Sequence, residues 1–315
     1  MRSIIQGGMG IGISNPHLAK TCSMAGIQGT VSCTGAERVL VNLLQKGDIG
    51  GQYRRALAHF PFPEVAERIV KKYFIEGGKP DSQNFRKVAM FSMQSRRDLI
   101  ELAVAASFAF VWLAKEGHDG PISVNYLEKL QIGHIYHLTG ATLAGADFIT
   151  MGAGITLQIP KVLDAIAQGG IPSYRVDVEG STRGKHLISF NPREFFGGSF
   201  PRELRRPGFL PIVSTAALAN IMVMSLSPGD IQGFVVELPT AGGHNASPRG
   251  AKKIFDESGQ PVYGSRDVVK WEKMQDLGIP FWIAGSFASP EGLAHAKELG
   301  AEGIQAGSIF AWSDD

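Results

Sequence analysis

Eight short apolar runs, most of them ending at glycine or another small residue, constrain the fold of this 315-residue chain most strongly. They alternate with helical segments, a pattern typical of a parallel sheet covered by helices. Because most of the runs are apolar throughout, both faces of each strand should be buried. We place the strands at residues 3–6, 27–31, 122–126, 148–151, 211–214, 233–237, 281–285 and 303–306.

An open doubly wound sheet and a closed barrel would both bury such strands. Eight units favour the closed (β/α)8, or TIM, barrel of the α/β class, because closure removes both sheet edges. Two of the predicted helices begin at a capping residue followed by proline and end just before a glycine. The first is capped by Asn15 and stops before Gly26, and the second is capped by Ser289 and stops before Gly300. The predicted helices cover residues 15–25, 157–167, 215–224 and 289–299.

The chain reads as a single barrel domain with two insertions, at about 32–120 and 170–210. Both follow strands, so we expect inserted helical segments at the C-terminal face, forming a lid or subdomain over the pocket. The first insertion has helical candidates at 36–45 and 63–75, a short strand candidate at 88–91 and an ambiguous apolar run at 99–113. Only residues 308–315 follow the last strand, so the closing helix is expected to be absent or to lie in a continuation of the chain.

Composition and charge give no support for a disordered chain, a nucleic-acid-binding protein or a membrane protein. Hydrophobic residues make up 44% and charged residues 19%, which is unlike a disordered chain. A net charge of +2 without a long basic block gives no reason to expect nucleic acid as a partner. No charged leader and no run of 18 apolar residues occurs, so we expect a cytoplasmic protein outside the membrane. Cys22 and Cys33 fit reduced thiols in such a compartment.

The first motif with chemical meaning covers residues 4–12, where a buried strand runs directly into a glycine-rich turn. Without a Cβ at Gly7 and Gly8, the backbone can approach a flat ligand closely. A structural turn is the alternative, and the spacing of a dinucleotide fingerprint is not met.

The second motif covers residues 235–244, where an apolar strand ends in a Gly-Gly loop that presents His244. The pKa of an imidazole lies near neutrality, so His244 suits proton abstraction beside an electron acceptor. A solvent-exposed loop histidine is the alternative, but a position after a barrel strand favours the active site.

Two glycine loops follow the seventh and eighth strands, at Gly285-Ser286 and Gly307-Ser308. These loops form the usual phosphate site of TIM barrels, through backbone N–H groups and small hydroxyls. Ordinary turns are the alternative. Asn125, near the end of the third strand, offers amide donors and acceptors that suit the edge of a flavin ring.

At these places together the chain resembles the nitronate monooxygenase family, formerly called 2-nitropropane dioxygenases, and the related FMN-dependent enoyl-acyl-carrier-protein reductases. The most specific stretch is Ala241-Gly242-Gly243-His244, supported by residues 6–9, 212–214 and 305–308. The resemblance implies FMN as cofactor and His244 as the catalytic residue. The cofactor-binding residues that it implies, together with Glu237 beside them, are Gly8, Met9, Asn125, Glu237, Gly242, Gly243, Gly285, Ser286, Gly307 and Ser308.

The chain departs from the family pattern at four places. The family usually has Gln where Glu237 stands, Glu where Thr240 stands, Gly where Ser286 stands and Thr where Ser308 stands. The serines keep small hydrogen-bond donors near a phosphate. Glu237 would disfavour an anionic reduced flavin unless it is protonated or paired, which leaves the redox partner open.

The leading hypothesis is an FMN-dependent oxidoreductase of nitronate monooxygenase type that oxidises alkyl nitronates, or a related small substrate, with molecular oxygen. One alternative is reduction of an enoyl thioester by NAD(P)H through FMN, with His244 as proton donor. Another is a non-catalytic flavin-binding subunit of a biosynthetic assembly. Whether the substrate is anionic and whether the protein forms a homo-oligomer stay open at this point.

The remaining histidines and arginines give weaker indications. His134 and His137 are three residues apart, but no third ligand completes a metal set, so we expect no metal. Arg202, Arg205 and Arg206 read as a solvated basic group, with a clamp for an anionic substrate as the alternative.

Overall fold

The computed structural model describes residues 1–10, 12–181, 186–242, 246–250 and 254–312. In this part of the chain, eight parallel strands form the central sheet and two more form a separate antiparallel hairpin. The ten strands are β1 (Ile4–Gln6), β2 (Gly29–Ser32), β3 (Ile122–Leu127), β4 (Phe148–Gly152), β5 (Ser173–Val176), β6 (His186–Ser189), β7 (Gly208–Val213), β8 (Phe234–Glu237), β9 (Phe281–Ala284) and β10 (Gly303–Ala306).

The eight parallel strands form a ring, in the order β1-β10-β9-β8-β7-β4-β3-β2. The ring closes between β1 and the residues just before β2, where Ile5 and Gln28 form a parallel bridge. The backbone N–H of Gln6 donates to the carbonyl of Gln28 at 2.9 Å, and the N–H of Gln28 donates to the carbonyl of Ile4 at 2.9 Å. The chain is therefore a (β/α)8 barrel, as its eight apolar runs predict.

Helices lie between the strands. The predicted caps are confirmed: the side chain of Asn15 accepts from the N–H of Leu18 at 2.9 Å, and the hydroxyl of Ser289 accepts from the N–H of Gly292 at 3.0 Å. The helices are α1 (Pro16–Met24), α2 (Ala36–Gln45), α3 (Gln52–Ala58), α4 (Pro63–Tyr73), α5 (Arg97–Lys115), α6 (His134–Leu143), α7 (Ile159–Ala167), α8 (Pro192–Phe195), α9 (Ala216–Ser225), α10 (Trp271–Gln275) and α11 (Pro290–Glu298).

Strand register shows which residues face the interior of the barrel. Ile5, Leu210 and Trp282 form a small apolar cluster apart from the main core, with Phe148 packed against it. Directly paired residues of neighbouring strands share a face of the sheet, and Ser123 pairs with Phe148. Asn125, two residues further along β3, therefore lies on the same inner face, closer to the carboxyl ends of the strands.

The first insertion supplies both a barrel helix and additional helices. The ambiguous run at 99–113 is the centre of α5, which is buried on nearly all sides and packs against α1, α2, α3 and α6. Both predicted helices before it are confirmed as α2 and α4. The strand predicted at 88–91 is wrong, because these residues are irregular and pair with no strand in the described ranges.

The second insertion contains the hairpin of β5 and β6, which the sequence pattern did not predict. Its strands alternate between buried and exposed residues, and Tyr174 is one of its buried side chains. The hydroxyl of Tyr174 donates to Glu128 at 2.8 Å. Because Glu128 follows β3 directly, this bond fixes the hairpin at the carboxyl end of the barrel. That placement agrees with the expected side of the insertion, while its role as a lid stays a prediction.

Arg205 and Arg206 in this insertion form ion pairs. Arg205 donates to Asp147 at 2.7 Å, and Arg206 pairs with Asp164. Arg202 and Arg205 are exposed, as expected of a solvated basic group, while Arg206 is half-buried. The ion pairs of Arg205 and Arg206 disfavour the alternative of a clamp for an anionic substrate.

Among the helices of the described ranges, none is both long and apolar enough to cross a bilayer.

Candidate functional site

The glycine-bearing turns singled out in the sequence follow β1, β8, β9 and β10, and so leave the barrel at one end, the carboxyl ends of its strands. Active sites of TIM barrels lie at this end. The contacts between the turns show whether they form one site, and we take them in order around the mouth.

The turn after β1 is held by two buried polar side chains, Gln6 and Ser14. The hydroxyl of Ser14 accepts from the backbone N–H of Met9 at 3.0 Å and from the Gln6 amide at 3.0 Å, and it donates to the carbonyl of Gly7 at 3.3 Å. The Gln6 amide oxygen accepts from the N–H of Thr30 on β2 at 2.7 Å. The path of residues 7–9 is therefore fixed from below by two buried side chains.

Two neighbours lie against this turn. A Cβ at Gly8 would lie 2.4 Å from the Cβ of Asn125, so only glycine allows the turn to pass over the end of β3. A Cβ at Gly307 would lie 3.3 Å from the Cγ of Met9, which places the loop after β10 beside the same turn. Gly8, Met9, Asn125 and Gly307 therefore lie together, as predicted.

The loop after β8 contacts both the turn after β9 and the turn after β10. A Cβ at Gly242 would lie 2.7 Å from the hydroxyl of Ser308, and one at Gly285 would lie 2.8 Å from the hydroxyl of Thr240. The hydroxyl of Ser286 donates to the carbonyl of Thr240 at 3.3 Å. The loops after β8, β9 and β10 are thus in mutual contact at the barrel mouth.

Gly285 and Ser286 both have positive φ angles, of 120° and 59°. Such angles are uncommon for a residue with a side chain, so the turn at Ser286 is held in a locally strained conformation. Residues in such conformations cluster at binding and active sites, which agrees with a ligand-binding turn after β9.

Backbone donors point to the kind of ligand. Within the described ranges, no acceptor receives the backbone N–H groups of Gly285, Ser286, Gly307 or Ser308. The strands β9 and β10 are neighbours, and Ala284 pairs with Gln305, so the two turns begin side by side. Four N–H groups without protein acceptors on adjacent turns are suited to bind an anion such as a phosphate.

Glu237 is the last residue of β8, and it pairs with Ala284 at the end of β9. Its carboxylate therefore lies at the mouth. The predicted residues Gly243 and His244 lie outside the described residues, and Gly242 is the last described residue before them.

The two histidines considered as metal ligands are both buried and hydrogen-bonded to protein groups. His134 donates from Nε2 to the carbonyl of Glu128 at 2.9 Å, and burial lowers the pKa of His134 to about 4. His137 pairs with Glu37 at 2.9 Å. Burial raises the pKa of Glu37, but the hydrogen bond and charge of His137 outweigh burial and leave that pKa below its ordinary value.

Cys33 lies one residue beyond β2, at the carboxyl end of that strand. It is fully buried, and burial raises the pKa of its thiol far above the ordinary value. A thiol in that state has almost no thiolate at neutral pH and is therefore a poor nucleophile.

Sequence reasoning did not identify Ser14, Gln6, Glu128 or Tyr174. Ser14 lies just before Asn15, the predicted cap of α1, and this position indicated only the start of a helix. The bonds that matter join residues far apart in the chain, such as Gln6 with Thr30 and Glu128 with Tyr174.

Comparisons with known proteins gave structural likenesses only. No protein-family model matches the chain, and no curated protein matches it. A mutant of FabK from Thermotoga maritima is 15% identical with a TM-score of 0.47, and the match covers 98% of this chain and 62% of that one. A nitroalkane oxidase from Streptomyces ansochromogenes is 13% identical with a TM-score of 0.47, covering 99% of this chain and 67% of that one.

The enoyl reductase domain of MlnA, from the macrolactin biosynthesis cluster of Bacillus amyloliquefaciens, is 12% identical with a TM-score of 0.43. This match covers 98% of the present chain and 54% of that one. The chain thus spans 62% of the FabK structure and about half of the MlnA domain. The assignment of the barrel rests on the strand pairing of the chain itself.

Proposed function

We propose that the protein is an FMN-dependent oxidoreductase of nitronate monooxygenase type, which oxidises an alkyl nitronate or a related small substrate with molecular oxygen. The observation that carries this proposal is the convergence of the turns at Gly8, Gly242, Gly285 and Gly307 at one mouth of the barrel. The resemblance in sequence motifs supplies the cofactor and the reaction class.

The described residues fit the chemistry of FMN. The N–H groups of Gly285, Ser286, Gly307 and Ser308, which have no acceptor among the described residues, would hold its phosphate. Gly8 and Asn125 would lie beside its ring, because the turn after β1 passes over Asn125 with no side chain in between. When bound, FMN would supply the acceptor of the electrons; the protein's part is to bind, orient and move protons.

His244 would carry the proton chemistry. In the sequence, His244 comes two residues after Gly242, and the described part of this loop contacts Ser308 through Gly242 and Gly285 through Thr240. In this role His244 takes a proton from the carbon next to a nitro group, or orients a nitronate that is already anionic. Glu237, one residue before that loop, would add negative charge near the ring and so favour a neutral over an anionic reduced flavin.

The test begins with the absorbance spectrum of the purified chain after reconstitution with FMN, because the flavin band of bound FMN differs from that of free FMN. Addition of a nitronate under anaerobic conditions should bleach this band, and oxygen should restore it. His244→Ala should keep the spectrum and lose turnover by roughly a hundredfold or more, the usual worth of general acid–base catalysis. His295→Ala on the exposed α11 is the matched control and should change neither.

Failure to bind FMN would refute the proposal. Oxidation of NAD(P)H that depends on an enoyl thioester, without any oxidation of nitronate, would replace it by the enoyl reductase alternative. Unchanged turnover in His244→Ala would remove the assigned role of that histidine.

A further inference from the structure

A cavity of about 90 Å³ lies in the first insertion, between the end of α4, the start of α5 and residues 87–89. Three cationic side chains line it, Lys72 of α4, Lys87 and Arg96, and the carboxylate among its lining residues is Asp98. None of the glycine-bearing turns of the barrel mouth contributes to its walls. The cavity is therefore separate from the candidate FMN site, and it has room for a group larger than a single water.

Asp98 is shared by two of the three cations. The ammonium of Lys72 donates to its Oδ2 at 2.9 Å, and Arg96 donates to both carboxylate oxygens, at 3.0 and 2.9 Å. Burial raises the pKa of Asp98, but the hydrogen bonds of Lys72 and Arg96 outweigh burial and leave that pKa below its ordinary value. The carboxylate is therefore charged at neutral pH and balances one of the two cations that it binds.

Lys87 adds a further positive charge to the wall. Within the described ranges its ammonium forms no ion pair, whereas Lys72 and Arg96 are both paired. Its two neighbours in the chain are anchored, because the N–H of Arg86 donates to Gln45 at 2.7 Å and Val88 packs against the main core. Lys87 thus presents an exposed ammonium from a fixed point of the backbone.

The start of α5 adds to this surplus of positive charge. The N-terminus of a helix carries a partial positive charge, and a small polar or acidic side chain usually caps it. Here the N-cap is Arg96, which makes no side-chain capping bond, and Arg97 follows it. Cations at this position repel the helix dipole. An anion bound beside Arg96 would offset this repulsion.

We propose that this cavity binds the phosphate group of a small molecule, held by Lys87 and Arg96 with Lys72 beside them. A phosphate carries close to two negative charges at neutral pH, which matches three cations partly balanced by one carboxylate. The ammonium and guanidinium groups are the side chains that proteins commonly use to bind phosphate. The inference goes beyond the proposed oxidation and does not depend on it.

The remaining walls indicate the form of the phosphate. Val88, Leu99, Leu102 and the ring of Tyr73 line the cavity beside the charged groups. Inorganic phosphate gains nothing from such a surface, whereas the organic part of a phosphate monoester would bury apolar area against it. A monoester with a short apolar group is therefore the form that this cavity favours.

The experiment measures binding of inorganic phosphate and of phenyl phosphate by isothermal titration calorimetry. The full-length chain is used with FMN present, so that the turns after β9 and β10 are not open to phosphate, and again without FMN. Lys87→Glu reverses the charge of the unpaired lysine. Lys71→Glu makes the same change in net charge at an exposed residue of α4 that does not line the cavity, and is the matched control. A thermal melt checks that each variant is folded.

We expect Lys87→Glu to weaken binding of both ligands by roughly tenfold or more, because one charge-assisted hydrogen bond is lost and a repulsive charge is added. Lys71→Glu should stay within about twofold of wild type at physiological ionic strength, where salt screens distant surface charges. Phenyl phosphate should bind roughly fivefold more tightly than inorganic phosphate, through its buried ring. Binding of FMN should be unchanged in both variants.

Three results would overturn the inference. These are no phosphate binding by the wild type, equal binding by wild type and Lys87→Glu, and an equal loss in Lys71→Glu, which would trace the effect to general charge. Equal affinities for the two ligands would retain the phosphate site and refute the role of its apolar wall.

Discussion

Replacement of Ser14 by alanine tests whether buried side chains below the turn after β1 hold the binding site together. The Ser14 hydroxyl is fully buried and makes three hydrogen bonds, with the N–H of Met9, the Gln6 amide and the carbonyl of Gly7. The Gln6 amide keeps a second acceptor, the carbonyl of Gly7 at 2.8 Å. The main loss in Ser14→Ala is therefore the acceptor for the N–H of Met9.

A buried donor left without an acceptor costs about 1–3 kcal/mol, so we expect the free energy of unfolding to fall by about 2 kcal/mol. For a chain of this length, that corresponds to a decrease in Tm of roughly 3 °C. Because residues 7–9 also lose their fixed path, the Kd for FMN should rise by about tenfold, equivalent to about 1.4 kcal/mol. Urea unfolding followed by circular dichroism measures the first effect, and flavin fluorescence titration measures the second.

Ser95→Ala is the matched control, since it removes the same hydroxyl at an exposed turn. Ser95 accepts from the N–H of Ser92 at 3.1 Å and donates to the carbonyl of that residue at 2.8 Å. Solvent can replace these bonds, so the change in unfolding free energy should stay within about 0.5 kcal/mol. If Ser14→Ala unfolds at the same urea concentration as Ser95→Ala and binds FMN as tightly as wild type, the reasoning is refuted.

Three further predictions concern the mouth and the buried ion pairs. Gly8→Ala should abolish FMN binding, because the new Cβ would lie 2.4 Å from the Cβ of Asn125. Gly264→Ala, which has open space around the new Cβ, is the control and should bind FMN normally. Equal FMN titration curves for the two variants would contradict this prediction. Glu37→Leu should lower the unfolding free energy by about 3 kcal/mol, because it leaves the buried His137 without its hydrogen-bond partner. A variant with leucine at both positions should recover part of that loss, and urea midpoints measure both effects. Burial gives His134 a pKa of about 4 in the folded protein, against about 6.5 in the unfolded chain. The unfolded chain therefore binds the proton more tightly, and the fold is destabilised as the pH falls from about 6.5 towards 4. The stability lost over this range is at most about 3 kcal/mol. Urea midpoints of His134→Gln should therefore fall less steeply with acid than those of wild type, and parallel profiles would falsify this assignment.

Most of the barrel was predictable, because a strand buried on both faces leaves a continuous apolar run in the sequence. All eight predicted strands are confirmed; the largest shift is in β7, predicted at 211–214 and observed at Gly208–Val213. The hairpin of β5 and β6 escaped prediction because its strands are short, and its alternating residues gain burial only through contacts such as that of Tyr174 with Glu128. The run at 88–91 looked like a strand, but a strand needs a partner, and these residues pair with none in the described part of the chain.

The site was predictable in part for a related reason. Glycines that let two turns meet leave a visible mark in the sequence, so the motif positions and the barrel predicted that the turns at Gly8, Gly285 and Gly307 converge at one mouth. The individual contacts, of Gly8 with Asn125 and of Gly307 with Met9, came from the structure. The supporting bonds could not be predicted, because a serine or glutamine is compatible with many partners. Closure of the ring brings Gln6 next to Thr30, and the Gln6 amide oxygen then accepts a hydrogen bond from the N–H of Thr30.

Closure of the ring between Ile5 and Gln28 also bears on self-association. A strand whose N–H and C=O groups face water can recruit a strand of another molecule, which is a common route to aggregation. Since β1 bonds to Gln28, just before β2, the ring is closed at this point and offers no such template there. Of the two sheets in the described part of the chain, the hairpin of β5 and β6 retains unpaired rims, so we expect edge-to-edge recruitment among these strands to begin there.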